Sequence, residues 1–308
     1  MLNKEEIRDW LVSLQERICT ELEHTDGRGK FMTDAWQRSG GGGGVTRVFV
    51  GGKIIEKGGV NFSAVWGRTP EAVLRSMKLD PSDQSDFFAT GVSIVLHPFN
   101  PMVPIIHMNV RYFEMTNGTW WFGGGIDLTP HYVDEEDARY FHRSLKQICD
   151  QHDSSYYSKF KDWADDYFFL KHRNETRGIG GIFFDYLKGD AGFTKETRFD
   201  FIQSLGNAFA PLYTHLMNKN QSLPFTEKEK QWQYLRRGRY VEFNLVWDRG
   251  TKFGLDTDGR TESILMSLPP QAQWVYDYQP EDGSEEQKTL SMLKKGVDWV
   301  SFQQSAKS

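Results

Sequence analysis

Three polar side chains stand at every second position in the run IIHMNVRYF, the spacing by which a strand presents groups together. Successive side chains of a strand point to opposite faces, so His107, Asn109 and Arg111 share one face and Ile106, Met108, Val110 and Tyr112 the other. The preceding run repeats the pattern, with Val92, Ile94 and Leu96 opposite Ser93 and His97. The Pro-Phe-Asn-Pro link between the runs is a turn signal, and a hairpin there sets Ser93 and His97 beside His107, Asn109 and Arg111. In a third run Trp120, Phe122 and Ile126 alternate with Trp121, Gly123, Gly125 and Asp127. Glycine inside a strand marks a bulge or a close approach to the backbone. A glycine-floored face ending in a carboxylate suits a broad, flat ligand.

The segment 234–270 reads the same way. Val241, Phe243, Leu245 and Trp247 share one parity, and Tyr240, Glu242, Asn244, Val246 and Asp248 the other, followed by Arg249, a turn and Arg260. A strand ending in a carboxylate between two guanidiniums is the expectation. Arginine's planar fork matches carboxylates bidentately, so Arg111, Arg249 and Arg260 point to a substrate with several carboxylates.

The strings HPFNPMVPIIHMNVRYF, WWFGGGIDLTP, YFFLKHRNETRGIGGIFFDYL, RRGRYVEFNLVWDRGTKFGL and GRTESILMSLPP closely resemble the oxygen-dependent coproporphyrinogen III oxidase family, in the family's order, from about Trp36 to the end of the chain. The resemblance implies oxidative decarboxylation of coproporphyrinogen III to protoporphyrinogen IX, the propionates of rings A and B becoming vinyl groups. It implies dioxygen as co-substrate, release of carbon dioxide and hydrogen peroxide, no required cofactor, and a homodimer. Carried over by position, Arg111 and Arg260 resemble propionate anchors. Ser93 and the Asn109-Val110-Arg111 strand resemble substrate contacts, and Asp258-Gly259-Arg260 the substrate-binding loop. His107 matches a proton donor, and Asp248 and Asp127 match carboxylates that hold or deprotonate the pyrrole nitrogens. Tyr240, Arg249 and His172 fall where the family forms its dimer. Two positions depart from the pattern: Tyr186 stands where many members carry a second aspartate, leaving Asp185 without a catalytic assignment, and Asp258 puts a carboxylate where many have a neutral residue.

His97 and His107, joined by His142 or His172, are candidate ligands for a divalent metal, and a metal-dependent oxygenase is one rival reading. A non-catalytic tetrapyrrole carrier is another; it needs the pocket and the arginines but no base. His24, His131, His152 and His215 have no motif around them and read as surface or capping residues.

The elements that must position these groups cluster strands with strands and helices with helices. The expected fold is α+β: one domain over 1–308, with a large, flat, mostly antiparallel sheet flanked by helices on both faces. Residues 45–66 read as further antiparallel strands. Helices are expected at about 2–23, with the stripe Ile7, Leu11, Leu14 and Ile18, and at 134–151, 154–172, 195–218 and 284–302. The chain has 308 residues, 38% of them hydrophobic, which suffices for a sizeable core. Its net charge of -5 argues against a nucleic-acid partner. No run reaches the roughly 18 apolar residues of a membrane span, and the acidic amphipathic start does not read as a targeting peptide, so a cytoplasmic enzyme is expected. Gly40 to Gly44 read as a flexible loop, since a dinucleotide fingerprint needs spaced glycines before a helix. Gly178 to Gly181 are equally weak. Cys19 and Cys149 read as idle thiols in helices.

Overall fold

A computed structural model of the chain describes residues 2–69, 74, 80, 85–256 and 259–301. The meander read from the sequence forms as β4 to β6 of a longer antiparallel run: β1 (Phe31–Gln37), β2 (Gly42–Val50), β3 (Ile55–Arg68), β4 (Asp86–Pro98), β5 (Ile105–Met115) and β6 (Trp120–Thr129) pair in chain order. A two-residue pair, β7 (Phe169–Leu170) and β8 (Glu175–Thr176), stands apart. Strand β9 (Gly180–Leu187) then returns beside β6 as the seventh strand of the sheet. Helices α1 (Lys4–Asp26), α2 (Glu135–Asp150), α3 (Tyr156–Tyr167), α4 (Lys195–Asn220) and α5 (Glu227–Glu242) are followed by a π-helical turn, Phe243–Trp247. Three short helices complete the described residues: α6 (Arg249–Asp256), α7 (Thr261–Leu265) and α8 (Glu285–Met292).

Register follows the parity of the sequence. Val92, Ile94, Ile106, Met108, Val110, Tyr112, Phe122 and Ile126 all turn inward and are fully buried, or nearly so, against Ile7, Leu11, Leu14 and Ile18 of α1 and Phe201, Leu205 and Phe209 of α4. Each such side chain gains roughly 1.5 to 3 kcal/mol on burial. A one-residue slip would exchange this whole set for polar groups, so the register is strongly specified. Helix α1 starts on a capping box formed by Asn3 and Glu6 and ends on Gly27 in the left-handed region. The opposite face of the sheet carries the polar groups and is partly covered by α5, the π-turn and the segment 259–268. The fold is α+β, as expected, with helical structure on both faces.

Several elements differ from the sequence reading. Segment 234–247 is helix α5 and a π-turn rather than a strand. Its inward side, Trp232, Leu235, Arg236, Arg239, Tyr240 and Phe243, has helical spacing, but arginines at two of those places conceal the apolar period. The capping box of Thr226 and Glu229 that starts α5 is the sequence signal that would have found it. Of the glycine run, Gly42 to Gly44 belong to β2 rather than to a loop. Gly42 has φ 86°, and a Cβ there would lie 2.2 Å from the Ala64 carbonyl oxygen, so glycine is required where β2 enters the sheet. Strand β1 precedes the strands read from the sequence, α3 stops at Tyr167, and α8 ends at Met292.

Candidate active site

Cross-strand pairing builds the polar face in rows. Ser93 lies opposite Asn109, and Asn109 opposite Gly125; Gly91, Arg111 and Gly123 form the next row; Val95, His107, Asp127 and Gly181 the one beyond. Ser93, Asn109, His107 and Arg111 are each part exposed, so the face expected to hold a ligand is open at these positions.

The deepest group is an ionic chain. His107 Nδ1 lies 2.8 Å from Asp127 Oδ1, and Arg177 clamps the same carboxylate, its Nη2 2.7 Å from both oxygens and its Nε 3.2 Å from Oδ2. Arg177 Nη1 also donates to Asn244 Oδ1 at 3.1 Å. Its guanidinium is enclosed by the rings of Phe168, Phe243 and Tyr240, with centroids 4.3, 4.6 and 4.8 Å away. Burial alone would raise the Asp127 pKa, but the Arg177 charge and the His107 hydrogen bond prevail and hold it below the usual carboxylate range. An ionised carboxylate only accepts hydrogen bonds, so His107 Nδ1 carries the proton toward Asp127. Nε2 is left as a basic nitrogen. Asp127 is buried with both oxygens engaged, and it acts on a ligand only through His107.

Asp248 lies in a different setting from the strand end expected of it. It caps α6: Oδ2 accepts from the Thr251 N–H at 2.7 Å and the Thr251 hydroxyl at 2.8 Å, while Tyr167 donates to Oδ1 at 2.7 Å. Burial opposes ionisation, and these hydrogen bonds reverse that and lower its pKa. Asp248 is not paired to Arg249 in any ion pair of the described residues; Arg249 is exposed, its guanidinium 5.1 Å from the Tyr167 ring. Glu242, expected beside Asp248, instead accepts from His172, Arg173, Arg239 and Trp274. Burial works against it, but the Arg173 and His172 hydrogen bonds bring its pKa down to about 2.

The two arginines read as propionate anchors are both engaged by carboxylates. Arg111 donates to Asn109 Oδ1 at 2.8 Å and pairs with Asp185 at 2.9 Å. Arg260 pairs with Asp34 of β1. Gly259 precedes it, and Asp258 lies outside the described residues. From there the chain covers the β1–β4 part of the face: Asn61 donates to the Ser263 carbonyl at 2.7 Å, Lys57 to the Leu268 carbonyl at 2.7 Å, and Met266 seats on Gly59. Val110 points to the opposite, helical core, so only its backbone belongs to the site strand.

The four candidate metal ligands do not converge. His97 is fully buried with Nε2 2.8 Å from the Ser267 carbonyl; His107 is held by Asp127; His142 sits between Tyr157 (2.9 Å) and the Ile179 carbonyl (3.0 Å); His172 lies between Glu242 (2.7 Å) and the Trp247 indole (2.9 Å). Among the described residues no three His, Cys, Asp or Glu side chains are grouped to hold an ion. His131, read as a surface residue, is fully buried with Nδ1 3.1 Å from the Pro101 carbonyl. Tyr240, read as a dimer contact, is also buried and faces Arg177, so it belongs to the wall of the site. His172 and Arg249 remain accessible.

Arg177, Tyr167, Asp34 and Asp185 are the site residues that the sequence reading did not assign. Arg177 follows β8 in an irregular stretch where no parity operates, and the glycines after it gave no signal. The carboxylates facing Arg111 and Arg260 could have been sought, because a buried or half-buried guanidinium needs a counter-charge.

Residues 6–299 match the family described as coproporphyrinogen III oxidase. The chain is 50% identical over 301 residues to the oxygen-dependent coproporphyrinogen-III oxidase of Drosophila melanogaster, covering 94% of this chain and 76% of that one. Its identity to the chloroplastic enzyme of Glycine max is 49% over 298 residues, 93% of this chain and 77% of the relative. For the oxygen-dependent enzyme of Prochlorococcus marinus (strain MIT 9312) it is 45% over 320 residues, covering 97% and 93%. A match of this length, on a chain whose strand meander brings His107, Asn109, Arg111 and Asp127 onto one face of the sheet, makes the protein a member of the coproporphyrinogen III oxidase family.

Proposed function

We propose that the protein catalyses the oxygen-dependent oxidative decarboxylation of coproporphyrinogen III to protoporphyrinogen IX in haem biosynthesis. At each of the two propionates, RCH2CH2COO⁻ + O2 + H⁺ gives RCH=CH2 + CO2 + H2O2, with dioxygen taking the two electrons. The pyrrole rings of a porphyrinogen are electron-rich enough to react with oxygen once an N–H is deprotonated, so the protein's tasks are to bind, orient and move a proton. The carrying observation is the His107–Asp127–Arg177 chain beside Arg111, Asn109 and Ser93 on a glycine-floored face.

In this reading Arg111 and Arg260 bind propionates, and Ser93 and Asn109 hold the macrocycle's polar edge. His107 Nε2 exchanges the proton, and the ionised Asp127 stabilises the imidazolium that results. Asp248 shapes the neighbouring wall through Tyr167 and α6. Dioxygen is the co-substrate, and no bound cofactor is required; turnover that persists after exhaustive chelation supports this, and turnover restored only by an added divalent ion counts against it. Incubation with coproporphyrinogen III in air and under argon, followed by product chromatography, tests the whole reading. Vinyl products should form only in air; a bound but unconverted tetrapyrrole would favour a carrier instead.

The working form is proposed to be a homodimer, the commonest closed assembly. Its support is the exposure of the apolar side chains Leu245, Val246, Phe253, Leu255, Trp274 and Val275 in the π-turn and the segments after it, since apolar surface gathered in one region marks interaction sites. A monomer mass in light scattering at micromolar concentration would exclude it. The proposed compartment is the cytoplasm, which cell fractionation checks. Among the described residues no helix is long and apolar enough to cross a membrane.

A further inference from the structure

Strand β9 is distorted where it faces Arg111. Phe122 pairs with Leu187 and Gly124 with Phe184, so Asp185 and Tyr186 together face the single residue Gly123, a β-bulge. Tyr186 has φ 50°, a conformation uncommon for a bulky residue and one that persists only where the surrounding structure holds it. Its N–H donates to Asp185 Oδ1 at 3.0 Å, and its ring lies 5.1 Å from that of Trp121. These contacts aim the Asp185 carboxylate across β6. Gly123 leaves the gap: a Cβ there would come within 2.6 Å of Asp185 Oδ1 and 2.9 Å of both Arg111 Nε and Nη2. The result is the 2.9 Å pair of Arg111 with Asp185, each side chain about a quarter to a third exposed.

We propose that Asp185 is an internal stand-in for a substrate carboxylate, occupying the Arg111 guanidinium until the substrate's own carboxylate competes it away. The proposal rests on the reading of Arg111 as a propionate anchor. A guanidinium presents five N–H donors in a fixed fork, and in this site Asn109 and Asp185 engage both of its terminal nitrogens. A propionate therefore gains Arg111 only by displacing or sharing with Asp185. The exchange weakens substrate binding, and it keeps the guanidinium paired and oriented when a ligand carboxylate leaves. A residue that merely positioned Arg111 would have the opposite effect on affinity when removed.

The test uses coproporphyrin III, the oxidised tetracarboxylate, as a binding probe followed by quenching of tryptophan fluorescence. Asp185→Asn keeps the volume and an oxygen for the Tyr186 N–H, and it should bind the probe about five- to tenfold more tightly than wild type. In an Arg111→Ala background the same substitution should give no gain, because the competition runs through Arg111. Unchanged or weaker binding by Asp185→Asn overturns the proposal, as does an equal gain in the Arg111→Ala background, which would reveal only a general charge effect. Asp185→Ala, with its native fold checked by near-ultraviolet circular dichroism, should tighten binding in the same direction and guards against a defect peculiar to the asparagine. If wild-type protein binds no coproporphyrin III, the functional reading itself fails and this proposal with it; wild-type binding equal to that of Asp185→Asn removes the proposal alone.

Discussion

At the scale of single residues, charge compensation decides what each group can do. Arg111 is part exposed and has two polar partners, so it is held without being sealed off from a ligand. Arg111→Ala should cost roughly 1.5 to 3 kcal/mol of carboxylate binding, a ten- to hundredfold loss visible as a raised Michaelis constant. An unchanged constant and turnover in the folded variant would remove Arg111 from the site. Arg177 is different because it is almost wholly buried against an equally buried Asp127. Removing one partner of such a pair strands a charge and typically costs about 3 to 5 kcal/mol. Arg177→Met should therefore lower the melting temperature markedly and, in the protein that remains folded, shift the pH profile of turnover, because Asp127 loses its largest ionising influence. Near-native melting would show that the clamp is not structural. His107, Asn109, Arg111 and Asp127 were legible from parity alone; Arg177 was not, because it reaches Asp127 from a stretch without periodic structure.

At the scale of elements, strand signals proved reliable where both faces obeyed the period, as in β4, β5 and β6. They failed at 241–247, where two helical types meet. There the alternation Val241, Phe243, Leu245, Trp247 has another cause: Phe243 is buried under Arg177, while Leu245 and Val246 are exposed. The π-turn carries an extra residue per turn, and such turns tend to occur at functional sites. In this chain it puts Asn244 on Arg177 and delivers Asp248 to the start of α6. The capping role makes a sharp comparison possible. Asparagine is as good a helix cap as aspartate, whereas alanine loses about 0.5 to 2 kcal/mol. Asp248→Asn should thus melt close to wild type, and Asp248→Ala lower. Turnover decides the chemistry: with His107 as the proton-exchanging group, Asp248→Asn should retain most of it, whereas a drop of roughly 10²- to 10⁴-fold without loss of stability would identify Asp248 as the essential base.

At the scale of the whole molecule, helical structure on both faces of the sheet is seated on neutral imidazoles, a feature invisible in the sequence because burial of a lone histidine leaves no pattern. His142 of α2 is enclosed beside Phe141 and Trp299, and burial brings its pKa down to about 3. His97 and His131 lie on the α5 side; burial first, then the Arg237 charge, hold both well below the ordinary histidine value. A folded-state pKa below that of the unfolded chain means that the unfolded state binds protons first as pH falls through about 6.5. The stability these groups allow is therefore complete above that pH and lost progressively below it, at up to about 1.4 kcal/mol per pH unit for each histidine. The depressed carboxylates Asp127, Asp248 and Glu242 have the same sign but act in another window, since their unfolded forms protonate only near pH 4. Between pH 6.5 and 5 the histidines act alone among these groups. Urea denaturation across that interval should show a steep loss of unfolding free energy, and His142→Gln, which keeps a donor for the Ile179 carbonyl but cannot titrate, should reduce the slope by up to about 1.4 kcal/mol per pH unit. A slope identical to that of wild type would mean that His142 takes up its proton without unfolding, and that the helical layer above it tolerates a buried charge.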